Sequence, residues 1–435
     1  MEAQAATAAP SLRARINALR STETAQAAGL AVATIVQQLT AVVFTVVFTR
    51  ILGTDGYGSL AALINFMVIL IVPGAALQVA AARQGTLGRL GQGAELAATL
   101  NRWTRHILMG LAAVTVLSVL LREPLATVVN VDEEWAAAAV PVGASIYLLV
   151  CVQRGLLQAA QAYRPVAVSI ILEGVVRIAG ALLLVALAFD VTGAFLGLLV
   201  AWIGVAIALG RILRRRLGVP ARGGSEHPLS SLARNAAVPV AGLMLVAALQ
   251  NVDVIMARHA LDHDTAGVYA AATVAAKFIV WVAVGIGLWV LPTATRRAAA
   301  GLDPRPVLAR ALGLIVVLSI PALAAFAIFP TLLLKVAFGP DFASGDEVLL
   351  LLGVAFALLA CTFVAVQFLL GLHRRVFVGL LLAAAVIEPL LLLDATTLHS
   401  FAVRVLIVQA ATAAALVAAG AVVRRDPLAG SEPVL

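Results

Sequence analysis

Long apolar runs, each bounded by charged or turn-forming residues, recur along the whole chain. They cover residues 29–49, 59–82, 107–121, 136–157, 166–189, 192–213, 236–257, 267–291, 307–333, 348–372, 376–394 and 400–423. None shows the two-residue alternation of a barrel strand, and a helix satisfies its own backbone hydrogen bonds in lipid. A bilayer crossing takes about 20 residues, so the pattern predicts an all-α polytopic membrane protein with about twelve transmembrane helices. The 107–121 run is short for a crossing and is expected to extend by a turn. The first run is too long for a signal-peptide core and no small-residue cleavage site follows it, so it reads as a retained span. Before it, Leu12, Ile16 and Leu19 form one stripe flanked by Arg13, Arg15 and Arg20. That is the pattern of a short helix lying on a membrane surface.

Composition agrees with lipid as the second solvent. The chain is 62% hydrophobic and 12% charged over 435 residues, and its mean hydropathy is +1.05. Soluble domains average about 45–50% apolar and about 25% charged, so a set of soluble domains is excluded. Twelve spans also leave little chain for an appended catalytic domain. The net charge of +8 does not mark a nucleic-acid partner, because the basic residues are dispersed between the apolar runs. There they set topology. Twenty-three of the 30 basic residues fall on the side that carries both termini, four on the other side, and Arg177, Lys277 and Arg404 fall inside spans. This predicts cytoplasmic termini. The opposite connections are acidic, as in Asp132-Glu133-Glu134 and Asp341 with Asp346-Glu347. Cys151 and Cys361 sit in apolar runs and read as small apolar residues.

A shift of about 210 residues aligns the two halves. Arg50-Ile-Leu-Gly-Thr-Asp-Gly-Tyr57 faces the longer Arg258–Tyr269 segment, Asn65-Phe66 falls on Lys277-Phe278, and Cys151 with Arg164 falls on Cys361 with Arg374. Each copy holds six spans, so both enter the membrane from the same side. They are parallel repeats, related by an axis along the membrane normal. The expected organisation is two six-helix lobes around a central cavity. A cytoplasmic segment (1–28) leads into the N-lobe (29–213). An interlobe linker (214–235) joins it to the C-lobe (236–423), and a cytoplasmic tail follows (424–435).

No Gly-Lys-Ser/Thr occurs, so ATP hydrolysis by a P-loop is excluded. No cofactor motif, Ser/His/Asp ordering or paired-carboxylate site is legible, and the chain does not read as an enzyme. His259 and His263 can share a helical face as a metal pair or stand as exposed loop residues. The informative feature is charge at membrane depth, which costs about 2.5–3.5 kcal/mol per residue on insertion scales and so needs a partner or a wet cavity. Glu173 and Arg177 lie four apart, on one helical face, and can pair or line the cavity. Lys277 has no carboxylate on its own helix. It lines the central cavity, or snorkels, or pairs with Asp253 or Glu388. Arg404 lines the cavity or snorkels to the near surface. The repeat-related Arg50 and Arg258 cap loops or meet a headgroup at an outer gate. Glu388 precedes Pro389, so it can couple protonation to a kink, or it pairs with Arg404 on the next helix.

The segment Phe48-Thr-Arg50-Ile-Leu-Gly53-Thr-Asp-Gly-Tyr57-Gly58 resembles the first loop of Wzx-type polysaccharide flippases, of the multidrug/oligosaccharidyl-lipid/polysaccharide exporter superfamily. Asn251-Val-Asp253-Val-Ile, Gly267-Val-Tyr269-Ala-Ala-Ala, Lys277 and Leu291-Pro292 are similar to that family's seventh and eighth helices. The chain departs from a typical member in having only Lys277 and Lys335 as lysines, and it lacks the two extra helices usual in lipid II flippases. The resemblance implies a flippase of the bacterial cytoplasmic membrane. It would move polyprenyl-pyrophosphate-linked oligosaccharide from the inner to the outer leaflet for cell-surface polysaccharide, such as exopolysaccharide or lipopolysaccharide. Lys277, Arg50, Arg258, Arg404 and Asn65 become candidate substrate contacts, and Glu173, Arg177, Asp253 and Glu388 become coupling or structural charges. Implied partners are the lipid-linked oligosaccharide, membrane lipids, and the polymerase and glycosyltransferases of the same pathway. Two alternatives stand. A drug/cation antiporter of the same superfamily wants net-acidic cavity residues, whereas the deep charges here balance. A membrane-embedded polymerase or glycosyltransferase wants a large outer loop, whereas the longest outer connections are 122–135 and 334–347.

Overall fold

The computed structural model describes residues 23–91, 93–218 and 237–422. The amphipathic segment 11–22, most of the expected linker and the tail from 423 lie outside the described residues. Every described element is helical. The first half comprises α1 (Glu23–Thr86), α2 (Ala94–Leu120), the short α3 (Arg122–Val129), α4 (Glu134–Ala159), α5 (Tyr163–Leu184) and α6 (Asp190–Leu217). The second comprises α7 (Ala237–Ala260), α8 (His263–Ala299), α9 (Arg305–Ile328), the short α10 (Pro330–Ala337), α11 (Asp346–Gly371), α12 (Val376–Leu392) and α13 (Leu398–Val422).

Among the described residues, nine helices are long and apolar enough to cross a membrane, and α12 is a shorter apolar helix. Two of the nine run 55 residues, at Val32–Thr86 and Tyr163–Leu217. Each therefore holds two crossings, which restores the twelve runs of the sequence. The first folds back on itself at Gly53, whose φ of 69° suits a residue without Cβ. The second turns through a π-helical segment at Val185–Phe189, where Ala188 also has positive φ.

Three expectations change. The third span begins at Ala94, about three turns before the apolar run, because Leu96, Leu100 and Trp103 bury one face of its polar N-terminal half. The two longest acidic-side connections are not open loops. They carry α3 and α10, and the second continues through a 3-10 turn at Pro340–Gly345. Arg154, near the end of the 136–157 run and counted among the basic residues on the side of the termini, lies within α4 and is buried.

Two apolar cores divide the chain. One runs from Ala33 to Leu213, the other from Val246 to Leu416 with Tyr57 and Ala61 added from the first half. The pair of residues that crosses over marks where the lobes join. α1 packs on α7 and α8, and α3 touches α7.

Candidate functional site

The join between lobes differs from end to end. At the acidic end, residues 57–63 of α1 and 266–273 of α8 are buried without a break. Small residues permit this. A Cβ on Gly58 would stand 3.1 Å from the Gly267 Cα, and one on Gly267 would collide with the Thr54 backbone. Tyr57 seals the crossing edge-on against Phe342, with ring centroids 5.9 Å apart.

Polar groups then tie the same end together. Arg258, 2% exposed, donates from Nη1 to Asp55 Oδ1 at 2.6 Å and from Nε to the Asn130 carbonyl at 3.2 Å. The Asn130 amide returns a bond to the Arg258 carbonyl. Thr54 bonds Asp264, His259 meets the Val128 carbonyl at 3.0 Å, and Arg50 donates to the Val336 carbonyl at 2.8 Å. His263 Nδ1 lies 3.4 Å from Asp55. Asp262 caps α8 by accepting from the Thr265 N–H at 3.0 Å, and these Thr265 bonds hold its carboxyl below the usual range. Burial pushes the Glu133 carboxyl up, with Asp132 and Asp55 adding to it and its own backbone and Arg258 opposing it.

About two turns deeper the character changes. Lys277 Nζ donates to Asn65 Oδ1 at 2.6 Å and to Asn251 Oδ1 at 3.1 Å. It also lies 5.8 Å from the centre of the Phe356 ring. Asn65 and Lys277 are the positions that the sequence repeat aligns, and they touch each other here. Beyond this vertex the same helices expose a face: Val79 on α1 is 68% exposed, and Phe278, Val284 and Trp289 on α8 are all exposed. The named polar and glycine contacts between the two halves lie at the acidic end and at this vertex.

Each lobe also encloses a polar cluster. In the first, Glu173 Oε2 accepts from Arg154 Nη2 at 2.7 Å and Oε1 from Trp202 Nε1 at 2.9 Å, while Ser169 accepts from Arg154 Nε at 3.0 Å. Arg177 stacks on Phe44, 4.7 Å from the ring centre, with Nε unbonded. In the second, Asp253 Oδ2 accepts from Tyr269 at 2.8 Å, and Glu388 Oε1 accepts from Gln409 Nε2 at 3.1 Å. Asp253 Oδ1, Glu388 Oε2 and Gln409 Oε1 are buried without a hydrogen-bond partner among the described residues.

These placements correct several pairings. Glu173 pairs with Arg154 rather than Arg177, because Arg154 reaches it from the neighbouring helix through Nη2 while its Nε is held by Ser169. Lys277 bonds two amides and neither Asp253 nor Glu388. Arg404 donates to the Leu391 carbonyl, near the end of α12, and not to Glu388. Arg50 and Arg258 sit in the acidic-end seam. Arg258 and Asn251 are seven residues apart on α7, about 10 Å of helix rise, so Arg258 does not join Lys277. Sequence reading missed Arg154, Asn251, Trp202 and Gln409 as partners. Its one available signal was that a deep carboxyl needs a donor, which does not say from which helix. His259 and His263 serve the seam, and no group of three metal-ligating residues occurs among the described residues.

Comparison with known proteins places this architecture. One solved structure described as an inward-facing conformation of a multidrug resistance MATE family transporter of the MOP superfamily aligns with a TM-score of 0.73. Its identity to this chain is 13%, over 88% of this chain and 94% of that one. A structure of the MATE multidrug transporter DinF-BH gives 0.65 at 16% identity, over 92% and 95%. The eukaryotic MATE transporter AtDTX14 gives 0.59 at 13%, over 93% and 96%. The chain is thus an all-helical, multi-pass membrane protein with the transporter fold of that superfamily. Residues 24–296 match the family described as "Polysaccharide biosynthesis protein", and the chain belongs to it. Among curated proteins no sequence matches this chain.

Proposed function

We propose that this protein is a flippase that carries polyprenyl-pyrophosphate-linked oligosaccharide from the inner to the outer leaflet of a bacterial cytoplasmic membrane, for cell-surface polysaccharide. The observation that carries the reading is Lys277, held by Asn65 and Asn251 at the vertex between the lobes. Both bonds are to neutral amides, and among the described residues no carboxylate is hydrogen-bonded to this ammonium, which would meet an anion entering from the arginine-rich end. A diphosphate cannot cross apolar lipid unaided, and a fixed cation in a site of intermediate dielectric offsets part of that cost. The sugars would occupy the space between the lobes while the lipid tail stays in the bilayer. The family supports a glycan substrate. An outward-moving anion runs downhill in an inside-negative membrane by about 2.3 kcal/mol per charge per 100 mV, which removes the need for an ATP site.

In this reading the arginine-rich end is cytoplasmic, the lobes are 29–213 and 236–423, and 214–235 links them. Single cysteines at 95 should label from the cytoplasm, and those at 130, 262 and 344 from outside. The seam of Arg50, Arg258, Asp55 and Asn130 is the outer gate. Arg404 serves as a helix-end contact, and Asp253 with Glu388 is the pair through which an ion couples to transport. Glu173 with Arg154 is structural. The polymerase and glycosyltransferases of the pathway act on the same lipid.

The multidrug exporters among the structural neighbours favour a second reading, a drug/cation antiporter. The test is a deletion strain carrying Lys277→Glu or Lys277→Arg. The flippase reading expects lost surface glycan and accumulated lipid-linked precursor for Glu at equal protein level, and partial export for Arg. Intact glycan with lost drug resistance would establish the antiporter instead.

A further inference from the structure

A pocket lies inside the first lobe, apart from the interlobe vertex. It has a volume of about 300 Å³ and sits where α2, α4 and α6 meet at the arginine-rich end. Its polar lining is Asn101, Thr104, Gln153 and Arg214, set beside Leu100 and Leu217. Pockets that hold small molecules begin at about this size.

Gln153 is the unusual member. It is 3% exposed, yet its Oε1 has no hydrogen-bond partner among the described residues. A buried amide left unpaired costs about 1–3 kcal/mol, so a protein interior normally places one only where something completes it. Gly210 leaves that amide its room: a Cβ there would stand 3.2 Å from Gln153 Nε2. The charge of the lining is one-sided. Arg214 is its cation, and no carboxylate lines it among the described residues. Arg214 sets the sign; Arg211, Arg215 and Arg216 lie on the same helix.

We propose that this pocket binds a phosphate-bearing headgroup. The phosphate oxygens pair with Arg214 and accept from Gln153 and Asn101, while Thr104 or the Gln153 carbonyl meets a headgroup hydroxyl. Leu100 and Leu217 lie along its apolar part. The source is an anionic phospholipid of the adjoining leaflet or a soluble phosphate ester, and the two share this chemistry.

The test uses full-length protein in neutral detergent, with binding read by isothermal titration calorimetry. The probes are dioleoylphosphatidylglycerol, dioleoylphosphatidylcholine and glycerol phosphate. Saturable binding of phosphatidylglycerol over phosphatidylcholine supports a lipid source, and binding of glycerol phosphate alone supports a soluble one. Gln153→Leu and Arg214→Ala should each weaken binding about tenfold or more, the loss expected for one charge-assisted or buried hydrogen bond. Gln153→Leu removes an unpaired buried amide, so the unliganded variant should melt no lower than wild type, which separates lost binding from lost folding. No saturable binding of either phosphate probe, or unchanged affinity in both variants, overturns the proposal.

Discussion

The two ends of the interlobe seam are built from the same two helices and behave oppositely. At the acidic end α1 and α8 are buried on all sides through 57–63 and 266–273. At the arginine-rich end their continuations expose Val79 and Trp289. The difference lies in residue size and in polar ties. Gly58 and Gly267 let backbones touch, and Arg258 is buried against Asp55 and Asn130. The deeper segments carry larger side chains, Phe278 and Trp281 among them, packed edge-to-face with centroids 4.6 Å apart. Under the proposed transport reading, an alternating-access cycle would break the first arrangement and close the second, so the acidic-end contacts would set the cost of opening.

The largest effect is expected at Gly267. A leucine there overlaps the Thr54 backbone, so the acidic end cannot close. A single cysteine at Asn251 should then become reactive to a polar thiol reagent from the acidic side, and transport should be abolished. Continued protection of that cysteine would show that the glycine crossing is not what seals this end.

Disrupting a cluster inside one lobe should lower stability without favouring either end. Glu173→Ala leaves Arg154, 3% exposed, without its carboxylate. Stranding a buried charge costs about 3–5 kcal/mol. Protein level and melting temperature should fall steeply, and the double variant with Arg154→Ala should recover part of the loss. Additive losses would mean that the pair is not coupled. Arg177→Ala should be milder, since Arg177 stacks on Phe44 and is not hydrogen-bonded to Glu173 among the described residues.

Asp55→Ala acts on the seam itself. The Asp55 side chain is 55% exposed and that of Arg258 only 1%, so removing the acid strands the buried partner. Discounted for solvent on Asp55, the loss is about 1–3 kcal/mol, seen as a shift toward acidic-side labelling with little change in melting. Arg258→Ala should shift the equilibrium the same way. Equal labelling in wild type and both variants would remove this pair from the gate.

The smallest effect concerns Glu133. Its carboxyl is raised by burial, so the closed seam binds its proton more tightly than the open chain does. That contribution is fully present below the ordinary carboxylate range and is lost as pH rises through the raised value. Acidic-end closure should weaken slightly over that interval, and Glu133→Gln should flatten the dependence. A slope unchanged in Glu133→Gln assigns it to another group.

Much of the fold was legible because lipid imposes one simple demand: each crossing must be apolar and long. The twelve runs reappear; that Asn65 and Lys277, aligned as repeat positions, also touch is something the alignment did not state. What failed was pairing. Periodicity reports neighbours four apart on one helix, which is why Glu173 was matched to Arg177 and not to Arg154. It says nothing of which face meets which helix, so the Gln409 partner of Glu388 and the Leu391 carbonyl held by Arg404 were out of reach. Span 3 was read short because its first half is polar along one face, and a hydropathy run cannot see a buried stripe of Leu96, Leu100 and Trp103.

The central claim is that Lys277 receives an anionic headgroup at the vertex of a cavity open to the arginine-rich end. Its most direct measurement is transbilayer movement of a fluorescent polyprenyl-diphosphate glycan in proteoliposomes, read by quenching from outside. Wild type should move it faster than protein-free vesicles, Lys277→Arg should retain part of the rate, and Lys277→Glu should fall to the protein-free rate while reconstituting equally. A Lys277→Glu protein that moves the glycan at the wild-type rate would contradict the account.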